Sequence, residues 1–177
     1  MKVSYSSVFA QTADQVWAVI GDFNSYPVWV ASVTESHIED GKSGDAVGAI
    51  RSFEEYGARI RQRLLAHSDR DRSYVYESCG TLGAVSYYEG TARVIPIVDG
   101  NHALLEWSIS FNCQPQEQTQ CVKSLQEAMP QWFKSLRSVL ERTSKGVESQ
   151  IAHSPELLAI DQMAAAVGGP THRGVPK

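Results

Sequence analysis

The chain has 177 residues, enough for one domain with some chain to spare. With 42% apolar and 20% charged residues it reads as globular rather than disordered. Twenty acidic against sixteen basic residues give a formal charge of -4, which argues against a broad basic face for nucleic acid.

Taken in chain order, Val3 to Ala10 reads as a strand. Thr12 and Gln15 form a capping box before the apolar run Val16-Trp17-Ala18-Val19-Ile20, which predicts a short helix. Gly21 is expected to end it in the left-handed conformation. Asn24-Ser25 opens a second short helix, with Pro27 in its first turn. From Ser32 to Cys113 six strands follow at hairpin spacing, punctuated by Asp40-Gly41, Glu55-Tyr56-Gly57, Asp69-Arg70-Asp71, Gly80 to Gly83 and Asp99-Gly100-Asn101. The period then switches. Apolar residues at Cys121-Val122, Leu125, Ala128-Met129, Trp132-Phe133, Leu136 and Val139-Leu140 predict one long amphipathic helix from Glu117 to Thr143, kinked at Pro130. Ser154-Pro155-Glu156 predicts a short helix through Ala166, and Gly168 to Lys177 a disordered tail.

No run approaches eighteen apolar residues, so no membrane span is expected, and the first residues lack the apolar run of a signal peptide. A cytoplasmic protein follows as the expectation. Cys79, Cys113 and Cys121 form no Cys-x-x-Cys pair and read as reduced, structural thiols. The five histidines show no metal-ligand spacing, and neither a nucleophile elbow, a phosphate loop nor a dinucleotide fingerprint is present. The expectation is therefore no metal and no cofactor.

The order of elements predicts an α+β helix-grip fold. A seven-stranded curved antiparallel sheet wraps a long C-terminal helix, and two short helices follow strand one. A curved sheet around a straight helix leaves a gap suited to an apolar ligand. The expected organisation is a domain over 1–145 and an extension over 146–177.

The motifs Val16-Trp17-x-x-Ile20-Gly21-Asp22-Phe23, Trp29, Gly48-Ala49-Ile50-Arg51-Ser52-Phe53, Tyr74-Val75-Tyr76-Glu77 and Glu106-Trp107 stand in this order. Through them the chain resembles the Bet v 1-like, or START-like (SRPBCC), superfamily over residues 3 to 143. The branch it is most similar to is the polyketide cyclase/dehydrase family. That resemblance implies a hydrophobic small molecule held in an internal cavity. It also implies cyclisation, aromatisation or dehydration of a polyketide-like substrate, or a related lyase reaction. The alternative within the superfamily is a carrier or sensor of a lipid or apolar metabolite. A partner-docking role for the tail helix is a third possibility, resting on composition alone. A monomer or homodimer is expected.

Strand alternation sorts the candidate side chains. Leu105, Trp107, Ile109 and Phe111 share a face, expected to meet the helix. Ile60, Gln62 and Leu64 alternate with Arg59, Arg61 and Arg63, which read as a solvated row. Arg51 shares the inward face with Ala49 and Phe53. A guanidinium there needs a carboxylate, with Glu55 or Glu77 as candidates, a buried water cluster or an anionic ligand group. Gln62 is expected to face the ligand or to satisfy Arg51. Tyr74 and Tyr76 share a face, as do Ser86, Tyr88 and Gly90, with Gly90 marking a bulge or room for a ligand. In the enzymatic reading Arg51 stabilises an enolate oxygen, while Tyr76 or Tyr88 shuttles a proton. Phe53, Gln62, Tyr74, Trp107, Met129 and Phe133 would line the ligand site. Arg51 and Tyr76 are also similar to an arginine and a tyrosine of the fern hydroxynitrile lyases built on this fold. Ile60 stands where that site carries its acid, which argues against cyanohydrin chemistry.

Overall fold

The computed structural model describes residues 1–55 and 57–152, with side chains through residue 144. The helix expected from Ser154 and the expected tail lie outside the described residues. Seven strands form one antiparallel sheet: β1 (Lys2–Phe9), β2 (Val33–Ile38), β3 (Ile50–Glu55), β4 (Ala58–Ser68), β5 (Ser73–Ser78), β6 (Val85–Ile97) and β7 (His102–Cys113). Their spatial order is β1-β7-β6-β5-β4-β3-β2. The six later strands are thus a meander, and β1 closes onto the last of them. Helices α1 (Ala13–Ile20) and α2 (Tyr26–Trp29) lie between β1 and β2, and α3 (Gln118–Ala152) follows β7. The chain divides into two compact units, Met1–Leu140 and Glu141–Lys177; the sheet belongs to the first.

Helix α1 begins as its sequence demands. The Thr12 hydroxyl accepts from the Gln15 N–H at 3.2 Å, and the Gln15 side-chain carbonyl accepts from the Thr12 N–H at 2.9 Å. These bonds satisfy donors that the first helical turn otherwise leaves free. Its end departs from expectation. Gly21 is right-handed, with φ -66° and ψ -33°, so left-handed freedom is not why a glycine stands there. A Cβ at Gly21 would lie 2.7 Å from the Trp17 indole. Glycine therefore lets that ring fold back over the helix end, where its Nε1–H donates to Asp69 at 2.8 Å.

The sheet obeys its alternation. Along β7, Ala103, Leu105, Trp107, Ile109 and Phe111 are buried. On β4 the outward arginines pair with acids of neighbouring segments: Arg59 with Glu54, Arg61 with Glu39 and Arg63 with Glu77, at 2.6–3.0 Å. These exposed pairs add little stability each. They lie on the face of β4 opposite Gln62 and Leu64, which are buried.

Helix α3 carries its buried residues at Met129, Phe133, Leu136 and Leu140, the three-four spacing of one face. Phe133 meets Tyr5 edge-on at 4.8 Å and lies 6.0 Å from Phe9. Arg137 fixes the same stretch to β1, donating to the Ser7 hydroxyl at 2.9 Å and the Val8 carbonyl at 3.1 Å. Pro130 lies inside the helix, which continues through it. The first turns are covered less: Cys121, Val122 and Leu125 are only half-buried.

Candidate functional site

The inner face of β3 delivers Arg51 into the interior, where it is fully buried. Directly across the β3–β4 pair stands Gln62. Its side-chain carbonyl accepts from Arg51 Nε at 3.0 Å and from Nη2 at 2.6 Å. Arg51 Nη1 donates to the Phe23 carbonyl at 2.6 Å. These three bonds use three of the five N–H donors of a guanidinium. The expected ion pair with Glu55 or Glu77 is not formed. Glu55 accepts from the Ser32 hydroxyl at 2.5 Å, and Glu77 is turned outward to Arg63. No carboxylate reaches Arg51 among the described residues.

Aromatic faces take the place of a counter-ion. The guanidinium carbon lies 3.3 Å from the centroid of Tyr26, 3.9 Å from that of Phe23, 5.1 Å from that of Tyr76 and 5.6 Å from that of Phe53. Each ring face attracts the cation through its quadrupole, more strongly where water is absent. A neutral amide, a backbone carbonyl and π faces solvate the charge without cancelling it. Phe23 and Tyr26 enter from the segment around α2, where four helical residues offer no periodicity to read. Phe23 was legible only as part of the family-like motif, and nothing in the sequence singled out Tyr26.

Beside the cation runs a chain of hydroxyls. Tyr26 and Trp107 Nε1 both donate to the Tyr76 hydroxyl, at 3.4 and 3.2 Å. Tyr88 places its ring 6.1 Å from that of Tyr76, and Tyr74, Tyr76 and Trp107 form a triangle of rings with centroids 5.8–6.3 Å apart. Burial pushes the phenols of Tyr26, Tyr74 and Tyr76 well above the ordinary value, and the Arg51 charge offsets this only in part. Burial raises Tyr88 as well. All four are neutral at physiological pH. They are proton donors there, not bases.

Gly90 makes this packing possible, and for a different reason than expected. It pairs with Tyr76 across β5–β6, and a Cβ would fall 2.2 Å from the Tyr76 ring. There is no bulge at Gly90, and the space it leaves is filled by Tyr76 rather than held for a ligand. The bulge in β6 lies nearer its start, between Val85 and Tyr87, and Ser86 is exposed there.

Arg51, Phe53, Gln62, Tyr74, Tyr76, Tyr88 and Trp107 thus come together on the inner face. Met129 and Phe133 are buried on α3, but Phe133 spends its ring contacts on Tyr5 and Phe9 of β1. Chemically the cluster is an array of donors in a dry, aromatic setting. It can hold or polarise an oxygen and deliver a proton.

Residues 1–148 match the family model for polyketide cyclase / dehydrase and lipid transport proteins. The chain belongs to this family. No curated protein matches this family member's sequence. Solved structures share its fold. A protein from Nitrosospira multiformis is 21% identical, with a TM-score of 0.71, over 82% of this chain and 99% of its own. A START superfamily protein from Mycobacterium smegmatis is 16% identical, with a TM-score of 0.66, over 80% and 98%. The di-domain ARO/CYC BexL of the BE-7585A biosynthetic pathway is 10% identical, with a TM-score of 0.68, over 80% of this chain and 46% of that one. At these identities the likeness establishes the START-like helix-grip fold. No helix of the described residues is long and apolar enough to cross a membrane.

Proposed function

We propose that this cyclase/dehydrase-family protein binds a hydrophobic small molecule between sheet and α3, with an anionic or carbonyl oxygen of that molecule on Arg51. One observation carries the reading: a fully buried guanidinium without a carboxylate partner among the described residues, using three of its five donors. An unpaired buried cation is costly, and a ligand oxygen would supply the missing charge. Gln62 is then a positioning residue, holding the fork of Arg51. Trp107, Tyr74 and Phe53 contact the apolar body, which Met129 and Phe133 support from α3.

For a polyketide-like substrate the same groups promote cyclisation with dehydration or aromatisation. Arg51 stabilises the enolate oxygen as the substrate's acidic α-proton passes to solvent, and the neutral Tyr76 phenol, backed by Tyr88, donates a proton to the departing hydroxyl, which leaves as water. A second reading, a carrier or sensor of an apolar metabolite, is favoured by the chemistry of the cluster. Its arginine and four neutral phenols include no base for neutral pH.

Paired probes test the binding claim. Anilinonaphthalene sulfonate carries an anion on an apolar body, and phenylnaphthylamine is a neutral body of similar size. The expected result is tighter binding of the anion to the native protein, and a loss of about tenfold or more for it alone in Arg51→Met, equivalent to about 1.4 kcal/mol. Equal affinities for both probes, unchanged in Arg51→Met, would remove Arg51 from the site. Comparing the mass of the natural bound compound before and after incubation separates turnover from carriage.

A further inference from the structure

Among the described residues, the buried side-chain oxygens without a hydrogen-bond partner are Gln11 Oε1, Ser52 Oγ and Ser78 Oγ. Gln11 precedes α1. Ser52 lies on the outer face of β3, since Arg51 and Phe53 on either side of it point inward. Ser78 is on the inner face. It is the last residue of β5, in step with Tyr74 and Tyr76, which are both buried there. The residue as a whole is half-buried, yet its hydroxyl oxygen is out of reach of solvent.

The sheet register sets this hydroxyl in line with the buried cation. Arg51 on β3 pairs with Gln62 on β4, and Gln62 pairs in turn with Ser78 on β5. The three stand in one row across the inner face, on strands ~4.8 Å apart. Gln62 gives its carbonyl to two Arg51 N–H groups, which leaves only the donating end of its amide. Arg51 only donates, and the Ser78 hydroxyl has a proton to give. A row of donors calls for acceptor oxygens. A buried hydroxyl without a partner is costly, as is a buried cation without an anion, and this row holds both.

We propose that Ser78 is a second polar anchor of the ligand site, and that the molecule held there carries a second acceptor oxygen, a keto group a few bonds from the oxygen on Arg51. The Ser78 hydroxyl donates to that keto oxygen. A ligand with one oxygen could turn about Arg51, whereas two contacts along the row fix its direction. The inference rests on the binding reading above and narrows it to hydrophobic molecules with two oxygens on one edge.

The test uses the full chain and two carboxylates of similar two-ring size, 2-naphthoate and chromone-2-carboxylate. The second adds a ring ether oxygen and a keto oxygen, the latter two carbons from the carbon that bears the carboxylate. The native protein is expected to bind the keto acid about fivefold tighter, the worth of one ordinary hydrogen bond. In Ser78→Ala that preference falls to near one, and in Arg51→Met both probes bind more weakly. The urea midpoint of unliganded Ser78→Ala is expected not to fall, because the hydroxyl removed has no partner in the protein. A native protein without the preference, a preference that survives Ser78→Ala, or a lowered midpoint would each overturn the proposal. The Arg51 reading survives those outcomes if Arg51→Met still weakens both probes. Binding of neither probe, or of both equally well in Arg51→Met, would overturn that reading and this inference with it.

Discussion

Arg51 and Gly90 show how a residue takes its meaning from a partner across the sheet. Alternation along β3 was enough to send Arg51 inward with Phe53. It did not say what the guanidinium would meet. Glu55 and Glu77 are the acids its position suggests, yet the β3–β4 register sets Gln62 opposite, while Glu55 goes to Ser32 and Glu77 to Arg63. Gly90 is legible as a glycine in a strand, but its cause is the Tyr76 ring, fourteen residues earlier and one strand over. Gly90→Ala is therefore expected to destabilise the fold by about 1–3 kcal/mol, because the added methyl displaces a buried ring. Urea unfolding reads this directly. A change under about 0.5 kcal/mol, the range of ordinary surface substitutions, would mean the ring does not depend on the glycine.

Among the elements, those with long periods were the easiest to read. The meander and the long helix follow from period-two and three-four patterns that a sequence displays outright. The inner-face set Gln62, Tyr74, Tyr76, Tyr88 and Trp107 follows from the same alternation. Pro27 marks helix α2 in the sequence, but its four residues give no face, so nothing there points to Tyr26, the ring nearest Arg51. Helix α1 is legible at its start but not at its end, because a cap is local chemistry and the Trp17–Gly21 contact is packing. Thr12→Ala should cost about 1 kcal/mol by removing the capping bond to the Gln15 N–H. Because Thr12 lies outside the site, the same variant should bind the paired probes as the native protein does. A loss of probe binding without a loss of stability would contradict this assignment.

At the scale of the whole molecule, the four interior tyrosines tie stability to pH. Tyr26, Tyr74, Tyr76 and Tyr88 hold their protons more tightly when folded than when unfolded, since burial disfavours the phenolate. A group with a raised folded value gives its full contribution below its unfolded value, about 10 for a phenol. That contribution is lost as pH climbs from there toward the folded value. Stability should thus fall steeply above about pH 10. Tyrosinate absorbance from the buried rings should appear together with loss of near-ultraviolet circular dichroism. Ionisation of these rings near pH 10 with the fold intact would show that they are reached by water.

In the function proposed above, the aromatic interior of this family member holds a small molecule through Arg51. Native mass spectrometry of the purified protein, beside Arg51→Met matched for urea stability, tests it most directly. An added mass of small-molecule size is expected on the native protein and none on the variant. A native protein that carries nothing, or a variant that retains the same mass, would contradict it.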